Sequence, residues 1–386
     1  MKGPVFSYLA IVALLLAGSG ASDMTMPATA IGANELSVKI PIGAVWSLTG
    51  DAAVYGPSQK NAAELAFEEI NKSGMLGKSK LTLITEDDRS TKEGAIAAFD
   101  TLIKKDKVVA ILGPTLSNSA KAAFPIAQDA KVVVLGVSTT ASGITEIGDF
   151  IFRDSLPEIR VQPNTIKVTL NKLGYKKVAV MYGDDDVFTK SGYEVFKKAL
   201  EDNGVQILTT ETFKRKDTDF SAQLTKLRGL NPDEIIVSAL AEEAAGIMSQ
   251  GRQLGIPSSV HFIGGNGFNS PKLAQLGGSS AEGAISGAAW FIGSDTPGNK
   301  SFVEAYRRRY GSDPDQFAAQ AYAGVYIVAK AIKSAGSNDS KAIRDAMASI
   351  RDLDTVLGKF SFDTHREPVH APIVQIIKNG KFELFQ

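Results

Sequence analysis

Residues 108–145 read VVAILGPTLSNSAKAAFPIAQDAKVVVLGVSTTASGIT. Two short apolar runs, residues 108–112 and 132–135, are rich in Val, Ile and Leu. Each is too short for a helix and reads as a strand buried on both faces. Each run ends in glycine and then in hydroxyl side chains: Thr115 and Ser117 after the first, Ser138, Thr139 and Thr140 after the second. A helical pattern over residues 117–128 lies between them. This is a β-α-β unit with small polar residues at both strand C-terminal ends, where open α/β sheets bind ligands. Ser117 reads as the N-cap of its helix, whose free N–H groups and dipole favour an anion such as a carboxylate. Hydroxyls that only cap helices and turns would look the same one at a time. Two neighbouring loops with the same chemistry point to a site.

Outward from this unit the alternation continues. Strands are expected over residues 36–46 and 81–85, with helices opening at Pro57 and spanning 91–105. Residues 151–153 end the block and 154–157 read as a linker. The alternation then restarts with helices over 158–173, 191–203, 220–230 and 242–254 and strands over 177–182, 205–210, 234–239 and 260–263. The tail is helix-rich, over 300–310, 316–335 and 340–350, with strand-like runs at 283–291, 358–362 and 372–377. The fold class is α/β, two doubly wound Rossmann-like lobes with right-handed crossovers. Three tail helices with few strands do not make a third domain and are expected to cover the two lobes.

Composition narrows the function. The chain has 386 residues, enough for two substantial cores, with 42 Lys+Arg against 42 Asp+Glu. No basic excess points to nucleic acid. There is no cysteine, which excludes disulfides, thiolate catalysis and Cys-ligated metal. Lys2 precedes the apolar run YLAIVALLLA at residues 8–17, which has the length of a signal-peptide core and is too short to span a bilayer. Residues 1–21 are expected to be a signal peptide and 22–35 a flexible tether. Leu16-Ala17-Gly18 resembles the start of a lipoprotein signal, but Ser19 stands where that signal needs cysteine.

Several motifs fail. Gly77-Lys78-Ser79 lacks the first glycine of a phosphate loop, since position 72 is lysine, and it joins a helix to a strand. No G-x-S-x-G elbow occurs. His261, His365 and His370 lack metal spacing. The run Asp184-Asp185-Asp186 reads as a solvated turn. No acid–base pairing, cofactor fingerprint or metal cluster emerges, so no enzyme and no cofactor are expected.

In order and spacing, residues 43–56 (GAVWSLTGDAAVYG), 84–89 with Asp87-Asp88, 111–119, 135–145, 180–196 and 262–273 form a pattern. The chain resembles the type I periplasmic solute-binding proteins of bacterial ABC importers, in the leucine/isoleucine/valine-binding branch, from about residue 36 to the C-terminus. The resemblance implies two lobes joined by three crossovers that close on a ligand: residues 36–156 plus 288–357, and 157–287 plus 358–386. It implies a monomer in the periplasm that passes a small solute to a membrane permease. By the same resemblance, Ser117 holds the ligand carboxylate. Ser138 gives a backbone carbonyl and Thr140 a hydroxyl, while Tyr55 and Phe188 supply aromatic cover. Leu240 stands where the family often has tyrosine. Asn266 stands where it has a glutamate for the ligand ammonium. Asn266 carries no charge. Either Asp51 or Glu242 supplies it, with an apolar amino acid as ligand, or the ligand is an aromatic or aliphatic carboxylate or amide without an ammonium. A sensory ligand-binding module of the same fold is the alternative to an importer component.

Overall fold

A computed structural model of the chain describes residues 39–385. The expected signal peptide and tether lie outside the described residues. The first half runs β1 (Lys39–Trp46), α1 (Gly56–Ser73), β2 (Lys80–Asp87), α2 (Lys92–Asp100), β3 (Ala110–Leu112), α3 (Ser117–Ala130), β4 (Val133–Gly136) and β5 (Ile151–Arg153). The second runs α4 (Glu158–Leu173), β6 (Lys177–Gly183), α5 (Val187–Asp202), β7 (Gln206–Phe213), α6 (Ser221–Leu230), β8 (Glu234–Ser238), α7 (Ala241–Gln253), β9 (Phe262–Gly264), α8 (Pro271–Gly277) and β10 (Ile285–Ala288). Then come α9 (Asn299–Tyr310), α10 (Gln316–Ala335), α11 (Ser340–Ala348), β11 (Leu353–Thr355), β12 (Gly358–Phe360), β13 (Ile373–Lys378) and β14 (Lys381–Leu384).

Two sheets carry the molecule. The first has the order β2-β1-β3-β4-β5 and is parallel throughout. The second has the order β14-β13-β10-β9-β8-β6-β7, parallel except at β13 and β14. Each order reverses once, between β1 and β3 in the first sheet and between β6 and β8 in the second. At such switch points the flanking loops part and leave a crevice beyond the strand C-termini. The tail belongs to both halves. α10 lies along α1, and α9 and α11 flank the same core. α10 is apolar nearly all round, as a helix buried between others must be. β13 and β14 return to the second sheet.

The structure departs from the sequence reading in local ways. Residues 151–153 do not merely end a block: they pair with β4 as a fifth strand. Ser117 is not the N-cap. Leu116, extended at φ −102°, holds that position, and Ser117 is the first helical residue. The helix expected from residue 191 starts at Val187, because Asp186 caps it by accepting from the Thr189 amide at 3.1 Å. The acidic run is a turn at Asp184 and Asp185, with Asp185 exposed, but Asp186 is buried. Residues 358–362 stay with the first half, where Phe360 and Phe362 fill its core against Phe152. Helix α8 and strand β14 had no expected counterpart.

Candidate functional site

The crevice is built from loops at strand C-termini. After β1, residues 47–55 lead into α1. Gly56 permits this turn, since a Cβ there would lie 2.0 Å from the Ser47 carbonyl oxygen. After β3, Gly113 has φ +91°, where glycine is favoured, and its missing Cβ leaves room for the Val45 carbonyl. This brings Thr115, Leu116 and Ser117 beside the loop after β1. Thr115 accepts from the Ser47 amide at 2.9 Å and donates to Gln59 at 2.7 Å. Gln59 in turn donates to Ser138 at 2.9 Å, and Ser138 donates to the Thr115 carbonyl at 2.7 Å. One closed ring of hydrogen bonds thus fixes three loops of the first sheet. Such a ring rigidifies a site because each member is satisfied only in one arrangement.

Six of the seven candidate residues, Tyr55, Ser117, Ser138, Phe188, Leu240 and Asn266, line one cavity, together with Thr115, Leu116, Gly267 and Phe317. They come from both sheets. Tyr55 stacks obliquely on Phe317, with ring centroids 4.6 Å apart. Its hydroxyl donates to the Gly267 carbonyl at 2.9 Å and accepts from the Ala241 amide at 2.7 Å. Burial pushes that phenol up, so it stays protonated. Asn266 accepts from Gln316 at 2.6 Å. The cavity is small in this closed arrangement, with ≈ 20 Å³ for the centre of a water-sized sphere. A larger cavity of ≈ 280 Å³, lined by Trp290, Phe291 and Phe382 among others, lies beyond Gln316 and holds none of the candidate residues. The smaller one matters more, because it sits where both switch points converge.

Thr140 does not line the cavity. It lies just behind, where its carbonyl accepts from the Glu158 amide at 3.1 Å. Ser117 accepts from the next amide, Ala141, at 3.3 Å. The Thr140 hydroxyl oxygen and both Glu158 carboxyl oxygens are buried without a hydrogen-bond partner among the described residues. Burial pushes the Glu158 carboxyl up to about 8, against the lowering effect of Ser191, Gln162 and Arg153 nearby. Ser191 and Gln162 approach it without reaching hydrogen-bond geometry. A buried carboxyl and a buried hydroxyl left unsatisfied are each costly unless something polar meets them.

Neither acid expected to balance an ammonium lines the cavity. Asp51 is paired across the crevice with Arg215 at 2.7 Å. Glu242 is exposed on the first turn of α7. Glu158 was missed because an acid opening a helix reads as a dipole partner. Only the tertiary fold buries it. Phe317 was missed because it lies far along the chain. Asn118 was missed too: its side chain accepts from the Val187 amide at 2.9 Å and donates to the Asp186 carboxylate, joining α3 to α5.

Two α/β halves meeting over a cavity lined from both sides define a two-lobed receptor-type protein. The chain matches the periplasmic binding protein family over residues 39–381 and belongs to it. It is 27% identical over 325 residues to a leucine-, isoleucine-, valine-, threonine-, and alanine-binding protein of Pseudomonas aeruginosa, covering 84% of this chain and 86% of that one. The branched-chain amino acid transporter substrate binding protein of Streptococcus pneumoniae, solved in complex with isoleucine, superposes with a TM-score of 0.84 at 30% identity, over 89% of this chain and 98% of that one. A solute binding protein from R. palustris, in complex with benzoate, shares the fold at TM-score 0.82 and 20% identity, over 90% and 95%. Among the described residues no helix is long and apolar enough to cross a membrane.

Proposed function

We propose that this chain is the extracytoplasmic solute receptor of an ABC importer, and that it captures an apolar α-amino acid and hands it unchanged to a membrane permease. One observation carries the choice of ligand. The N-terminus of α3 with Ser117 is suited to a carboxylate, and the unsatisfied Thr140 hydroxyl and Glu158 carboxyl are suited to an ammonium. The 140–158 and 117–141 hydrogen bonds hold these groups together. An α-amino acid carries those two charges on groups bonded to a single carbon. Tyr55, Leu116, Phe188, Leu240 and Phe317 offer its side chain an apolar wall. The names of the Pseudomonas and Streptococcus relatives support this reading.

The lobes of this receptor are residues 36–156 with the tail helices, and residues 157–287 with β13 and β14. They act as a clamshell on a monomer, reached after removal of the signal peptide. The small cavity supports opening before entry, since it has room for little more than water. A second reading keeps the receptor and changes the solute to an aromatic or aliphatic carboxylate or amide. It is favoured by neutral Asn266, and by Glu158 if that acid stays protonated. Calorimetry with leucine, isoleucine, phenylalanine, benzoate and short fatty acids tests the two readings. Binding of the acids with none of the amino acids would reject the first.

A further inference from the structure

The loop that carries Ser138 and Thr140 is held by a residue that does not line the cavity. Arg153 ends β5 and is buried. Its guanidinium donates to the Thr139 carbonyl at 2.8 Å and to the Ala141 carbonyl at 2.7 Å. The carbonyls on either side of Thr140 are thus pinned to one rigid fork. The carbonyl of Thr140 itself turns the other way, to Glu158. The far side of the guanidinium is occupied by Glu367, with the second bond at 2.8 Å. Glu367 belongs to the last crossover, 214 positions away along the chain. It also accepts from Thr145 at 2.6 Å. Its neighbour Arg366 donates to the Thr145 carbonyl at 2.8 Å and the Ile151 carbonyl at 3.1 Å. Asp363 in the same crossover accepts from the Glu367 amide at 3.0 Å and from Arg160 of α4 at 3.1 Å.

We propose that Arg153 is the positioning residue of the Ser138–Thr140 loop and that Glu367 orients it, so that the last crossover couples lobe movement to the loop meeting the solute. The inference rests on the proposed function, in which the Ser138–Thr140 loop meets the solute. The physical reason is the shape of the guanidinium. Its planar fork serves two carbonyls and a carboxylate at once, whereas an ammonium is a point charge that cannot span them. A path then runs from α4 through Arg160, Asp363, Glu367 and Arg153 to the two carbonyls. Every link in it is a hydrogen bond or ion pair with a named partner.

The test uses the mature protein with Arg153→Lys and Glu367→Gln. Leucine is the calorimetric probe, and hydrogen exchange of residues 138–142 is read without ligand. Arg153→Lys keeps the charge and loses the fork, so leucine should bind about tenfold or more weakly, with faster exchange in that loop. Glu367→Gln, which keeps the shape, should give a smaller loss in the same direction and the same faster exchange. If both variants keep loop protection and leucine affinity within twofold, and only the melting temperature falls, Arg153 is merely structural and the proposal is overturned. If wild type binds no amino acid, the ligand reading fails by itself, and the exchange data still decide on Arg153. Should Arg153→Lys fail to fold, Glu367→Gln alone decides by the same two readouts.

Discussion

The amide of Glu158 donates to the carbonyl of Thr140 at 3.1 Å, and this bond ties the first crossover to a loop of the opposite sheet. Two residues that lie 18 positions apart thereby share one buried corner. Their side chains are left with hydrogen-bonding capacity that nothing among the described residues uses.

The first prediction concerns pH and ligand charge. With the Glu158 carboxyl raised to about 8, binding an ammonium below that pH must expel a proton. Affinity for leucine should then rise with pH between about 5 and 8, by up to about tenfold per unit. Calorimetry in buffers of different ionisation enthalpy should detect up to one proton released. A simple carboxylate behaves oppositely, because a neutral Glu158 is the better neighbour for it. Glu158→Gln should flatten either dependence.

Stability without ligand should follow the same group. The folded-state value of about 8 lies above the ordinary 4.5, so the folded protein binds the proton more tightly than the unfolded chain. The Glu158 contribution to stability is therefore fully present below about 4.5 and is lost as pH rises through about 8. Denaturant midpoints of wild type and Glu158→Gln should converge at low pH and separate at high pH, with the variant the more stable. Parallel curves would mean the carboxyl finds a partner.

Ser117→Ala together with Thr140→Ala should weaken leucine binding strongly while the far-ultraviolet dichroism stays unchanged. Hydrogen bonds to charged groups contribute about 1.5–3 kcal/mol each, so the pair should cost roughly a hundredfold to ten-thousandfold in affinity. Unchanged calorimetric affinity would move the solute to another part of the crevice.

Closure depends on contacts between the two halves, and Tyr55 makes two of them through a single hydroxyl. Tyr55→Phe keeps the ring against Phe317 and leaves the Ala241 amide without its acceptor. An unsatisfied buried donor costs about 1–3 kcal/mol, equivalent to a roughly 5- to 150-fold shift toward the open form. Small-angle scattering of the ligand-free variant should show a larger radius of gyration than wild type, and saturating ligand should close the gap. Superimposable curves would locate the closing force elsewhere, with Asn118→Ala the next variant to measure.

What the sequence by itself determined was whatever depends on near neighbours. The apolar runs at β3 and β4, the glycine that ends each, and the 3.6-residue pattern of α3 specify a β-α-β unit whichever partners surround it. The restart of the alternation at residue 158 specifies a second half for the same reason. Even β14 had a legible local signal, the Asn379-Gly380 pair whose positive φ values, 51° and 70°, close a two-residue hairpin. Charge and burial were not legible. Asp51, Glu158, Asp186 and Glu242 are all acids, and nothing in their local sequence tells which of them is buried or paired. Tertiary packing gave them four different fates. Asp51 meets Arg215 across the crevice, Asp186 caps α5 and meets Asn118, and Glu242 stays exposed. Glu158 is buried, and its carboxyl has no hydrogen-bond partner among the described residues. Desolvation and pairing depend on atoms brought close from distant parts of the chain, which no window of sequence contains.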